Sequence, residues 1–211
     1  MSLIDLTHSV VPDLPVYPGD PIPRIEQVAE LGRDGFNAYC LCTGTHVGTH
    51  MDAPLHMIAG GGFVCDLPVT QFIGRGRLID ARGRGVVTGE LLRGIRIGKG
   101  DIVLVLTGWD QHLRDDTYYR DYPEVAPDFA HELARAGVAV MGLDTPSPDR
   151  PPFEVHKILL SQKVPIIENL TNLEALVGVR RFEVIALPAK LQCDAAPVRV
   201  IARVSAVTPR R

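Results

Sequence analysis

Thr45–His56 reads THVGTHMDAPLH and places His46, His50, Asp52 and His56 within eleven residues. All four fall at even positions. Alternate side chains of an extended strand share a face. A helix would also bring positions four apart together, but Gly44, Thr45, Gly48, Thr49 and Pro54 disfavour one here. The spacing therefore predicts a strand that converges His46, His50 and Asp52 on one spot, with His56 on a turn just after Pro54. Neutral imidazoles beside a carboxylate suit Zn²⁺ or Mn²⁺. The competing reading is a hydrogen-bonded polar strand without an ion. Three of only seven histidines and an aspartate on one parity favour the metal.

Outward from this stretch, the chain reads as one domain spanning residues 1–211, long enough to bury a full core. Charge is balanced at −3, which offers neither nucleic acid nor an anionic membrane an obvious partner. Apolar runs such as Ile102–Leu106 and Val138–Leu143 are too short to span a bilayer. The opening MSLIDLTHSV lacks the basic and apolar regions of a signal peptide, so a cytoplasmic protein is expected. Cys40, Cys42, Cys65 and Cys193 form no CxxC pair and read as reduced thiols. Cys40 and Cys42 share parity with His46, but a small buried role suits them better than ligation.

Strands are predicted over Ser2–Val10, Phe36–Thr43, Arg77–Asp80, Asp101–Thr107, Val138–Leu143, Val164–Ile167, Phe182–Leu187 and Val198–Val207. Ile25–Leu31 reads as a short strand or a turn of helix. Helices are predicted over Asp66–Ile73, Val87–Gly94 with Thr88 as N-cap, Ala126–Gly137, Phe153–Ser161 carrying His156, and Leu173–Val177. Strands alternating with short helices make the fold class α/β with a mixed β-sheet. Pro12–Pro23, with five prolines, reads as a loop over the surface or over a site mouth. It carries Tyr17, a candidate for turn packing or substrate contact. His8 reads as structural or substrate-lining. Gly60–Gly62 reads as a lid or plain turn, since a phosphate cradle would need a following helix and lysine. Trp109 is expected in the core, and Gln111–Tyr122 as a surface loop or lid.

From His46 to His56 the pattern H-x-G-T-H-x-D-x-P-x-H is complete. It resembles the cyclase family of metal-dependent hydrolases, which includes bacterial kynurenine formamidase and isatin hydrolase. The likeness continues in order through Asp5-Leu6-Thr7, Pro15–Asp20, Thr107-Gly108-Trp109, Gly142–Ser147, His156 and Glu168, Leu187–Leu191, and Pro197-Val198-Arg199. It implies a swivelling β/β/α fold assembled as a homodimer or homotetramer. It implies that His46, His50 and Asp52 bind a first metal. Asp52 would bridge to a second one held by His156 and Glu168, and His56 would carry the proton. The implied cofactor is Zn²⁺, one or two ions per chain, with Mn²⁺ as the alternative. Two departures stand out. Tyr17 occupies a position where the formamidases carry Trp, and Asp194-Ala195-Ala196-Pro197 replaces a more usual Gly-Ser or Ala-Ser before the proline.

The implied reaction is hydrolysis of an amide in a small aromatic substrate, N-formylkynurenine first and isatin-like cyclic amides or lactones second. A divalent ion lowers the pKa of bound water from 15.7 to roughly 7. General acid–base help from His56 would add about 10²–10⁴-fold. Two rival readings remain: a Ser147–His–Asp144 nucleophile system, though no nucleophile elbow surrounds Ser147, and a non-catalytic metal- or ligand-binding protein on the same scaffold.

Overall fold

The computed structural model describes residues 2–204. Its strands are β1 (Ser2–Asp5), β2 (Arg24–Ala29), β3 (Ala38–Cys42), β4 (His50–Asp52), β5 (Ile73–Asp80), β6 (Val86–Val87), β7 (Ile102–Leu106), β8 (Glu124–Val125), β9 (Val140–Leu143), β10 (Ile166–Glu168), β11 (Phe182–Pro188) and β12 (Ala195–Val204). The α-helices are α1 (Leu31–Asp34), α2 (Pro127–Ala136) and α3 (Glu154–Ser161). No helix among the described residues is long and apolar enough to cross a membrane.

The main sheet runs β1-β12-β11-β5-β7-β9-β10-β4, and β4 also pairs with β12. That second pairing closes a mixed barrel of seven strands, with β1 attached to β12 outside the ring. Strands β5, β7, β9 and β10 are parallel, while β4, β11 and β12 join antiparallel. The α/β class with a mixed sheet is therefore as expected. Its closure was not, because period-2 patterning reports faces and not which strand meets which.

Barrel closure explains the unbroken apolar strand IVLVL. Ile102, Leu104 and Leu106 pack in the interior with Val140, Ile167, Val184 and Val200. Val103 and Val105 pack outside against Phe129 and Leu133 of α2 and Leu159 of α3. A strand covered on both faces has no polar alternation. Helix α2 follows its signals closely: Pro127 in the first turn, Phe129, Ala130 and Leu133 buried, and Gly137 at φ 68 as its C-cap.

Several elements depart from expectation. β1 ends at Asp5, and only an isolated bridge from Thr7 to Leu170 continues the expected strand. Asp66–Ile73 is not a helix. Pro68 divides two 3₁₀ turns, Val64–Asp66 and Val69–Phe72, and Ile73 already begins β5. Val87–Gly94 is likewise a strand end plus a 3₁₀ turn over Gly89–Leu92. Thr88 makes no side-chain cap, and the Gly89 N–H donates instead to Asp128 Oδ2. The run Leu173–Leu176 is also 3₁₀. The last strand starts three residues before Val198, and positions 205–207 of the expected strand lie outside the described residues.

Gln111–Tyr122 is not a plain surface loop. Tyr118 and Tyr122 are buried, with hydroxyls donating to Asn169 Oδ1 and the Asp149 carbonyl. Trp109 is half-buried beside this segment, where its indole N–H donates to the Tyr118 carbonyl. Cys40 and Cys42 are exposed on the separate β2–β3 hairpin and belong to no metal-competent group. Gly60–Gly62 is a packed turn, in which a Cβ on Gly61 would sit 2.5 Å from the Pro54 carbonyl carbon.

Candidate metal centre

Strand β4 is the short closing stave of the barrel, and it carries two of the expected ligands. Met51 points into the barrel core, so His50 and Asp52 face outward together. On one side β10 sets Glu168 opposite His50 and Ile166 opposite Asp52. On the other, β12 sets Ala195 opposite Asp52. Helix α3 brings His156 over the same face. Strand geometry thus places His50, Asp52 and Glu168, as the parity argument anticipates for the first two.

His46 arrives differently. Residues 45–49 form a turn and bends rather than the expected strand. Gly48 lies at φ 63 and tucks against Leu14, where a Cβ would meet the Leu14 side chain at 3.1 Å. That turn swings His46 round so that its Nδ1 lies 3.0 Å from Asp52 Oδ1. His56 sits on the 3₁₀ turn Pro54–His56, after Pro54 as predicted, with its ring centroid 4.3 Å from that of His46.

The remaining approaches are close. His50 Nε2 lies 3.4 Å from Asp52 Oδ1 and 3.3 Å from Glu168 Oε2. His156 Nε2 lies 3.6 Å from Asp52 Oδ2 and 3.3 Å from Glu168 Oε1. His50, Asp52, His156 and Glu168 are all buried. Yet His50 Nε2 and both oxygens of Asp52 have no hydrogen-bond partner among the described residues. Buried polar atoms left this way cost about 1–3 kcal/mol each, more when charged. Lone pairs of N and O donors gathered around a common point are what a divalent cation would satisfy.

The opposite ring nitrogens are held. His50 Nδ1–H donates to the Gly48 carbonyl at 2.8 Å, which turns Nε2 toward the carboxylates. His156 Nδ1–H donates to Asp149 Oδ1 at 2.5 Å, and Asp149 Oδ2 accepts the Val155 N–H at the start of α3. Burial opposes charge on His50, but Asp52 and Glu168 outweigh it and hold its pKa up at about 10. Burial likewise works against the Asp52 carboxylate, and His156, His46 and His50 together keep it well below the usual range.

The donors fall into two metal-competent groups that share Asp52: His46 with Asp52 and His56, and His50 with Asp52 and Glu168. The family resemblance divides the ligands otherwise, pairing His46 with His50 and leaving His56 free. Asp194 adds a contact that sequence reasoning did not assign. Its Oδ2 lies 3.0 Å from His46 Nε2 and 3.4 Å from His56 Nδ1. Asp149 was also missed, although an Asp just ahead of a helix is a recognisable capping signal.

The group opens into a cavity of about 180 Å³ walled by Tyr17, Tyr119, Phe153 and Met57, with Asp20 at its edge. The proline-rich loop does cover the mouth. Tyr17 meets Tyr119 edge-on at 5.7 Å, and the Tyr119 hydroxyl donates to the Pro15 carbonyl. Ser147 also lines this cavity, but its hydroxyl donates to the Asp149 carbonyl, and among the described residues no histidine bonds it as a base. His8 lies outside it; its amide donates to Thr49 Oγ1.

The Cyclase family matches residues 4–150. A kynurenine formamidase of Salinibacter ruber is 35% identical over 210 residues, covering 96% of this chain and 98% of the relative. A solved structure titled as a potential metal-dependent hydrolase with cyclase activity is 30% identical, with a TM-score of 0.81 and coverage of 97% and 98%. Isatin hydrolase A of Labrenzia aggregata, bound to benzyl benzoate, is 26% identical, with a TM-score of 0.86 and coverage of 96% and 93%.

Proposed function

The chain belongs to the Cyclase family, and from that premise we propose that it is a metal-dependent hydrolase opening the amide bond of a small aromatic substrate, N-formylkynurenine foremost. It is an enzyme acting on carbon–nitrogen bonds other than peptide bonds. The observation that carries the reading is the buried, unpartnered set of His50 Nε2 and Asp52 oxygens, with His50, His156 and Glu168 lining an aromatic-walled cavity.

His46, His50, Asp52, His156 and Glu168 would hold the ion or ions, Zn²⁺ or Mn²⁺. Bound there, such an ion supplies Lewis-acid polarisation of a carbonyl and a source of hydroxide at neutral pH. Asp52 and Glu168 offset the positive charge. Gly48 and Asp149 keep two imidazoles aimed, so that little reorganisation accompanies binding. His56 accepts a proton from the attacking water and delivers it to the leaving nitrogen, which departs as the amine while formate is released. Tyr17 and Tyr119 flank the substrate ring and Phe153 closes the wall, each aromatic contact adding about 1 kcal/mol.

Isatin-like cyclic amides are the second reading. Tyr17 in place of the formamidase Trp and the likeness to isatin hydrolase A favour it. The swivelling β/β/α arrangement belongs to the same proposal, supported by α2 and α3 packed on one outer face of the barrel. So does a homodimer or homotetramer, supported by Val28, Phe36, Tyr39 and Leu41 exposed on and beside the β2–β3 hairpin.

The test is turnover of N-formylkynurenine by protein stripped with chelator and reloaded with Zn²⁺ or Mn²⁺. Metal-dependent formate release is expected. Metal-loaded protein that leaves N-formylkynurenine intact but opens isatin would replace the first reading by the second, and inactivity on both would overturn the proposal.

A further inference from the structure

One carboxylate oxygen serves two imidazoles at the edge of the metal centre. Asp194 Oδ2 lies 3.0 Å from His46 Nε2 and 3.4 Å from His56 Nδ1, and the two rings are tilted 42° to each other. The other oxygen, Oδ1, accepts from the Thr45 hydroxyl at 3.4 Å. The backbone beneath is fixed independently of these contacts. The Asp194 carbonyl accepts the Ala53 N–H at 2.8 Å, and the Cys193 carbonyl accepts the Val64 N–H at 3.0 Å. The next residue, Ala195, is already registered against Asp52. The carboxylate is thus delivered to its place by strand pairing, not by the histidines it touches.

A carboxylate only accepts hydrogen bonds, so each imidazole must turn an N–H toward it. Of the two carboxylates beside His46, Asp194 meets Nε2 in hydrogen-bond geometry, while Asp52 Oδ1 lies 3.0 Å from Nδ1 without it, so His46 carries its proton on Nε2 and leaves Nδ1 and Asp52 to share a cation. His56 carries its proton on Nδ1 and keeps Nε2 as its proton-accepting nitrogen. A histidine whose second nitrogen is held by a carboxylate has its tautomer and ring orientation set. The same arrangement orients the base in hydrolytic triads. Here it would act on a metal ligand and on the proton carrier through a single atom. We propose that Asp194 is a positioning residue that fixes His46 and His56 in these two tautomers together, coupling the geometry of the metal centre to that of the proton carrier. The proposal rests on the functional reading above for the roles of the two histidines.

The test uses the zinc-loaded full chain and its Asp194→Asn variant, with ¹⁵N-labelled histidine. Long-range ¹H–¹⁵N spectra report which ring nitrogen is protonated. In the wild type His46 should be bare at Nδ1 and His56 bare at Nε2. In Asp194→Asn the His56 signals should move toward a tautomer mixture. Zinc affinity by chelator competition should fall about 10–100-fold, with its stoichiometry kept. The kcat should fall at least tenfold, with KM changed less than threefold. Asp194→Ala should give the same spectra, which guards against an amide that rebuilds one of the bonds. Unchanged tautomers in both variants would overturn the proposal. So would loss of a whole equivalent of zinc, which would make Asp194 a ligand. The spectra and zinc competition need no substrate, so inactivity on N-formylkynurenine would strike the functional reading and leave this inference standing.

Discussion

Asp52 and Asp144 are both fully buried aspartates at strand ends, yet their surroundings are opposite. Asp144 accepts the Thr107 hydroxyl at 2.6 Å, the Gly108 N–H at 2.7 Å and the Thr107 N–H at 3.0 Å. Asp52 meets three imidazoles between 3.0 and 3.6 Å and accepts no hydrogen bond. The first is a hub that ties the end of β7 to the end of β9. The second is half of something. Burial alone cannot separate a structural carboxylate from a functional one, but the donors around it can.

The largest effect should come from Asp52→Ala. It removes the carboxylate common to both metal-competent groups, so bound Zn²⁺, read by elemental analysis, should be lost and turnover should fall more than about 10³-fold. Chelator-treated Asp52→Ala should also unfold at lower urea than chelator-treated wild type, because His46, His50 and His156 lose the buried carboxylate that faces them. Asp144→Ala should act on stability alone. Zinc content stays the same, while urea unfolding shows a loss of about 2–4 kcal/mol as the Thr107 and Gly108 donors are stranded. Zinc lost from Asp144→Ala, or kept by Asp52→Ala, would break the contrast.

The pH dependence sharpens it. Burial raises the Asp144 pKa to about 6, against the bonds from Thr107 and Gly108. A carboxyl whose folded pKa lies above its unfolded value binds its proton more tightly when folded. Its contribution is therefore fully present below about pH 4 and lost as pH rises through 6. The stability gap between wild type and Asp144→Ala should narrow by up to roughly 3 kcal/mol across that window. A gap that widens would mean the hydrogen bonds outweigh burial.

The smallest effect should come from Asp149→Asn. It loosens His156 without removing a metal-competent donor, so zinc affinity should weaken about 10–100-fold, equivalent to roughly 1.4–2.7 kcal/mol, with stoichiometry kept. Unchanged affinity by chelator competition would remove Asp149 from the account.

Much of this was legible in the sequence, for reasons that differ between residues. His50 and Asp52 were readable because a strand enforces period 2 and Met51 between them is apolar. Pro127 and Gly137 bounded α2 by their own backbone preferences. His46 does reach Asp52, but a Gly48 turn and not strand parity delivers it. His156 and Glu168 are 104 and 116 residues beyond Asp52 in the chain, and no local pattern links them to it; only the family resemblance did. Asp194 was unassigned for the same physical reason, since strand register and barrel closure set it beside histidines 138 and 148 residues away. Asp149 differs, because its partners Val155 and His156 are only six and seven residues on, at the start of α3. Thr88 misled because tertiary context shortened the helix expected after it to a single 3₁₀ turn, and Pro68 splits the helix expected over Asp66–Ile73.

The most direct test of the metal centre is the thermal midpoint of chelator-stripped protein as Zn²⁺ or Mn²⁺ is added. Binding to the native state alone must raise it by mass action. The account requires a saturable rise in the wild type and in Asp144→Ala, and none in Asp52→Ala. A wild-type midpoint indifferent to both metals, or an equal rise in Asp52→Ala, would contradict it.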